Sequence, residues 1–124
     1  MDQIPPRQKV VAFDFDGVIA NYKGFTTKDA VLEPRADVVN SMKQLRDKNF
    51  KILIHSTRGD EFLKKYCDTY DIPYDYINHR PDKQGDNPGK PIAYVYVDDR
   101  ALSYQGQSTE ELVSQIENFK SYWE

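Results

Sequence analysis

Asp14 and Asp16 stand two residues apart at the end of an apolar run, VVAFDFDGV, and a second acidic pair, Asp98 and Asp99, ends another run, AYVYVDD. A third polar cluster, Ser56, Thr57 and Arg58, follows the apolar stretch KILIH. Residues two apart on a strand share a face, so Asp14 and Asp16 can point into one crevice. Gly17 lets the chain turn sharply there and lets a ligand approach the backbone. Like charges about 4 Å apart repel by about 4 kcal/mol at an effective dielectric of about 20, so four aspartates gathered together demand a cation or raised pKa values. An all-oxygen donor set favours Mg²⁺ over zinc, and Mg²⁺ takes one or two carboxylates and leaves its other positions to water and substrate phosphate. These residues therefore suit metal-assisted chemistry on a phosphate.

For the three clusters to meet, their strands must run parallel in one sheet. Val10 to Phe13 forms the near-continuous apolar run of a strand buried on both faces, and Lys51 to His55 forms a second. Tyr74 to Asn78 is a candidate for a short third strand, and Ala93 to Val97 is the fourth. Between them, Val38, Val39, Met42 and Leu45 predict an amphipathic helix over residues 34–48 with Pro34 in its first turn. A second helix is expected from about Glu61 to Tyr70, and Leu112, Ile116 and Phe119 mark a closing helix. Strands alternating with helices predict an α/β fold, a three-layer Rossmann-like sandwich around a mostly parallel central sheet. The polar connector from Asn21 to Glu33, with Gly24 and the Thr26-Thr27 pair, is expected to form a flap over the site.

At 124 residues the chain is expected to form a single domain over 1–124, with one core. Net charge is -3 and the pI is near 5.4, with no block of lysines or arginines, so a non-specific nucleic-acid footprint is not indicated. A nucleotide or a polynucleotide end stays open as a substrate. The one cysteine, Cys67, allows no intrachain disulfide and no cysteine-based zinc site, and reads as a partly buried small hydrophobe. The segment MDQIPPRQK has no apolar signal core and nothing approaches the roughly 18 apolar residues of a membrane span, so no membrane partner and a cytoplasmic location are expected. Neither His55, read as a packed and hydrogen-bonded strand residue, nor His79 is needed for phosphate chemistry. The nine tyrosines, Tyr22, Tyr74 and Tyr76 among them, read mainly as amphipathic packing residues.

The strand followed by Asp14-Phe15-Asp16-Gly17-Val18 resembles the opening motif of the haloacid dehalogenase superfamily, and three further motifs follow in order up to Asp99. The resemblance implies a phosphomonoester hydrolase that uses Mg²⁺ and an aspartyl-phosphate intermediate. It implies Asp14 as the nucleophile, and Asp16 as the general acid and then base, with its backbone carbonyl on the metal. Ser56 matches the second motif, a hydroxyl that binds the transferring phosphoryl group, with Thr57 as the alternative register; Ser-Thr after a strand is also an ordinary helix cap. Lys90, in GKPIAYVYVDD, matches the third motif, a lysine that offsets the carboxylates, with Lys83 as the second candidate. Asp98 and Asp99 match the fourth, Asp98 as direct metal ligand and Asp99 acting through water or orienting Lys90. Gly17, Thr57 and Arg58 are candidates for contacting the substrate phosphate, and Arg58 could instead fork onto an aspartate or pair at the surface.

The gaps from Gly17 to Pro34 and from Arg58 to Lys90 are too short for the inserted cap domains of many superfamily members. The chain therefore resembles the small capless type, whose open site admits a large phosphorylated substrate. Two other readings come from a different class of protein. One is a superfamily member that binds phosphate without turnover. The other is a receiver-like signalling module, which also groups aspartates and a lysine around Mg²⁺ but expects its phosphoacceptor on a later central strand, where this chain has Ser56.

Overall fold

The computed structural model describes residues 9–21, 32–80 and 91–124. Tyr22, the flap residues 22–31 and both candidate lysines, Lys83 and Lys90, lie outside the described residues. Four strands, β1 (Val10–Asp14), β2 (Lys51–His55), β3 (Tyr76–Ile77) and β4 (Val95–Val97), form one sheet in the order β3-β2-β1-β4. Every pairing is parallel, with Val11 opposite Ile52 and Val95, and Phe13 opposite Ile54 and Val97. The fold is α/β with an all-parallel sheet, as the alternation of elements predicts.

Strand periodicity divides the apolar residues between the two faces. Val11, Phe13, Ile52 and Ile54 enter the main core, together with Val39 and Met42 from α1 (Ala36–Asp47) and Leu63, Tyr66 and Cys67 from α2 (Asp60–Tyr70). Val10, Ala12 and Leu53 form a smaller cluster with Tyr76 and Ala93. Cys67 is more deeply buried than expected, and burial with the nearby Asp68 pushes its thiol up to about 12. The third helix, α3 (Thr109–Glu117), is capped by Ser108, whose hydroxyl accepts from the Glu111 backbone N–H at 3.3 Å. Among the described residues α3 packs against no other named element, and Val113 and Ile116 are 48% and 60% exposed. Of the three expected layers, the sheet and the α1/α2 layer are the ones built by contacts between these elements.

Two successive crossovers of one hand, stepping the same way along the sheet, place α1 and α2 on the same face. The chain then reverses and adds β4 on the far side of β1. This reversal opens a crevice outside the carboxyl ends of β1 and β4, the place where open α/β sheets bind ligands.

Pro34 corrects one expectation. It pairs as an isolated bridge with Ala20, flanked by the Asn21 N–H donating to the Glu33 carbonyl at 2.9 Å and the Arg35 N–H donating to Ile19 at 2.7 Å. Helix α1 therefore starts only at Ala36, because the segment before it is tied in extended form to the loop that carries Gly17.

Strand β3 is two residues long and gains a side-chain substitute for missing ladder bonds. The Asp75 carboxylate accepts from the Ile52 N–H at 2.8 Å, the Asp75 N–H donates to the Ile52 carbonyl at 2.8 Å, and Arg46 and Lys51 approach the same carboxylate at 3.4 and 3.9 Å. Asp75→Ala leaves the Ile52 N–H without its acceptor and is expected to destabilise the fold by about 1–3 kcal/mol. A urea-unfolding midpoint lowered at unchanged slope checks this; a native midpoint contradicts it.

Candidate functional site

Asp14 is the last residue of β1, and Asp98 and Asp99 follow Val97, the last of β4. Because Phe13 is in register with Val97, the next step along each strand brings Asp14 and Asp98 side by side. One carboxylate oxygen from each of Asp14, Asp98 and Asp99 lies within 4.8 Å of the others. Asp14 is partly shielded, and its pKa is raised to about 7 by burial, by a side-chain hydrogen bond with Asp99, and by the charges of Asp98 and Asp99; the Phe15 backbone N–H opposes the shift. Without a cation this crowding thus favours the protonated form of Asp14. A divalent ion suits the same position, since it replaces that proton with more charge and all the donors are oxygen.

Asp16 lies outside this group. Its carboxylate accepts a bidentate fork from Arg58, with Nε at 2.9 and 3.2 Å and Nη2 at 2.9 Å. The guanidinium also faces the rings of Phe15 at 5.6 Å and Phe62 at 4.9 Å, so packing as well as charge orients it. Of the alternatives open for Arg58, the structure takes the aspartate.

Ser56 stands one residue beyond His55, which pairs in register with Asp14. Its Oγ accepts from the Arg58 N–H at 3.1 Å, closing a local turn, while Gly59 occupies the α2 N-cap position without a side-chain cap. Thr57 is exposed. His55 is packed, but its buried Nδ1 has no hydrogen-bond partner among the described residues, contrary to the expected hydrogen-bonded histidine.

Gly17 sits at φ +85°, and a Cβ there would lie 2.2 Å from Asp99 Oδ2 and 3.3 Å from Trp123 Nε1. Its N–H donates to the Ala20 carbonyl at 3.0 Å and its own carbonyl accepts from the Tyr122 hydroxyl at 2.6 Å. Glycine is required so that the loop after β1 can touch the acidic pair after β4, which places Gly17 within the carboxylate group's packing.

Three residues with structural roles here were not singled out by sequence reasoning. Asn78, at φ 60°, accepts from the Ser56 N–H at 2.9 Å and donates to Asp60 at 2.7 Å, locking the turn between β2 and α2. Its signal was present, because asparagine tolerates the left-handed region and bonds locally to turns. Tyr122 and Trp123 meet Gly17 and Asp99, the Trp123 indole N–H donating to Asp99 Oδ2 at 2.6 Å. No local pattern marks either contact, since Gly17 lies 105 residues before Tyr122 and Asp99 lies 24 before Trp123.

The fold and site together define a small all-parallel α/β protein with a three-carboxylate group at its crossover. No protein-family model matches the chain, and no curated protein matches it in sequence. Two solved structures share its fold. A conserved protein from Bacteroides thetaiotaomicron aligns with TM-score 0.63 and 21% identity over 94% of this chain and 95% of its own. A structural-genomics target from Vibrio cholerae aligns with TM-score 0.51 and 18% identity over 89% of this chain and 98% of its own. At these identities the likeness establishes the fold. Among the described residues no helix is long and apolar enough to cross a membrane.

Proposed function

We propose that the chain is a Mg²⁺-dependent phosphomonoester hydrolase of the haloacid dehalogenase type, capless, acting through an aspartyl-phosphate on Asp14. The observation that carries this reading is the grouping of Asp14, Asp98 and Asp99 at the β1/β4 crossover, where burial and the neighbouring carboxylates raise the pKa of Asp14. Asp14, Asp98 and Asp99 would hold the ion, together with the Asp16 backbone carbonyl. When bound, the ion neutralises charge and holds the phosphoryl group in line with Asp14.

In the first half-reaction an Asp14 carboxylate oxygen attacks phosphorus, the ester P–O bond breaks, and the leaving oxygen takes a proton from Asp16. In the second, water attacks phosphorus, gives a proton to Asp16, and the P–O bond to Asp14 breaks to release inorganic phosphate. Asp16 can serve in this way only when Arg58 lets go of it. A substrate phosphate competes for that guanidinium, since planar bidentate recognition suits phosphate as well as carboxylate. Ser56 Oγ keeps its proton available to a phosphate oxygen, and Lys90, with Lys83 as alternative, would offset the remaining charge.

The Arg58–Asp16 fork also favours a second reading, a phosphate-binding module without turnover, because it occupies the proposed acid. Inorganic phosphate released from a simple aryl phosphate with Mg²⁺, compared with chelator, separates the two. Ion-dependent release is the expected result; phosphate binding without release selects the module, and equal release under both conditions removes the ion from the account.

A further inference from the structure

The segment after α3 reaches back to the carboxylate group and makes directed contacts there. Ser121 is buried, its N–H donating to the Glu124 carboxylate at 2.7 Å, while the Glu124 N–H returns to the Ser121 carbonyl at 3.0 Å. This tight turn presents two aromatic donors. The Tyr122 hydroxyl donates to the Gly17 carbonyl and the Trp123 indole N–H to Asp99 Oδ2, each at 2.6 Å. Each ring is further held by a guanidinium, Arg35 at 5.4 Å from Tyr122 and Arg100 at 5.1 Å from Trp123.

We infer that Tyr122 and Trp123 form a clasp that positions Asp99 and the Gly17 loop for the cation, so that ion occupancy and clasp closure favour each other. The inference rests on the Mg²⁺ reading of the carboxylate group. A carboxylate with one oxygen tethered to a fixed donor loses rotational freedom, and its other oxygen is already placed when an ion arrives. Such outer partners commonly set metal affinity by tenfold or more. The tether is geometrically close, because Gly17, Asp99 and Trp123 meet with no room for even one added methyl group. The coupling is reciprocal, so an ion that needs Asp99 in place must in turn stabilise the closed clasp. Trp123 is a positioning residue in this account and touches no reacting atom.

The chain contains one tryptophan, so its fluorescence reports on the clasp directly. Mg²⁺ is titrated into the full chain by calorimetry, alongside acrylamide quenching of Trp123. In the native chain Mg²⁺ is expected to lower quenching, and Asp99→Ala is expected to raise it whether or not Mg²⁺ is present. Trp123→Phe keeps an aromatic ring but removes the donor, and is expected to weaken Mg²⁺ binding about tenfold, with circular dichroism unchanged. Should that variant fold poorly, Tyr122→Phe, which removes one hydroxyl, carries the same test with a smaller loss expected. Native affinity in the folded variants, or quenching indifferent to bound Mg²⁺, overturns the clasp while leaving the ion site standing. No Mg²⁺ binding by the native chain removes the ion reading and this inference with it.

Discussion

Asp14→Asn is expected to lower phosphate release by about a thousandfold or more, the loss typical when a nucleophile itself is removed. The amide cannot form the acyl phosphate, yet it fills the same volume at the end of β1, so the fold and much of the Mg²⁺ binding should persist. The same variant tests the electrostatics. Asp14 has its pKa raised from 3.8 to about 7 by burial and by its carboxylate neighbours. Between those values the folded chain holds a proton that the unfolded chain has released, so the metal-free protein loses stability as pH rises from about 4 to about 7. Thermal unfolding in chelator should show that decline in the native chain and a flatter profile in Asp14→Asn. Mg²⁺ should restore stability to the native chain above pH 7, because a cation is most useful where the proton has left. Full turnover in the variant excludes Asp14 as nucleophile, and identical pH profiles exclude the raised Asp14 pKa.

Gly17→Ala is expected to have the next largest effect. The added Cβ would lie 2.2 Å from Asp99 Oδ2 and 2.8 Å from Asp99 Cγ, at a φ of +85° that non-glycine residues adopt only at a cost. The backbone is poorly placed to yield, since the Gly17 N–H and carbonyl are both hydrogen-bonded. The Asp99 carboxylate must therefore shift from its place beside Asp14 and Asp98. The backbone strain should cost about 1–2 kcal/mol of stability, and displacement of a metal-holding carboxylate should weaken Mg²⁺ binding by about tenfold to a hundredfold. Denaturant unfolding and calorimetric Mg²⁺ titration measure the two effects separately. Native Mg²⁺ affinity in Gly17→Ala would mean that Asp99 is not needed for the ion.

How much of this was legible in the sequence follows the range of the forces involved. β1 and β2 were clear because strands buried on both faces show as apolar runs, and the helices α1 and α2 because their buried residues recur at helical spacing. The meeting of Asp14 with Asp98 and Asp99 was legible because parallel strands put their carboxyl ends on one edge. Pro34 misled because proline suits both a helix start and an extended bridge, and the contact with Ala20 that decides between them is tertiary. For Arg58 the sequence left a choice between phosphate and aspartate that only proximity to Asp16 resolves. Leu112 and Ile116 lie in α3 as their spacing predicts and Phe119 falls just past its end, but periodicity does not say against what a helix packs. Tyr122 and Trp123 were illegible for the same reason in stronger form, since their partners lie far away along the chain and only the folded path brings them together.

The most direct test of the account is intact-mass spectrometry of the chain quenched in acid during turnover of an aryl phosphate with Mg²⁺. A fraction of molecules is expected to carry one phosphoryl group, located on Asp14 in the peptide map and absent in Asp14→Asn. Mg²⁺-dependent phosphate release with no phosphorylated chain at any quench time, undiminished in Asp14→Asn, would contradict it.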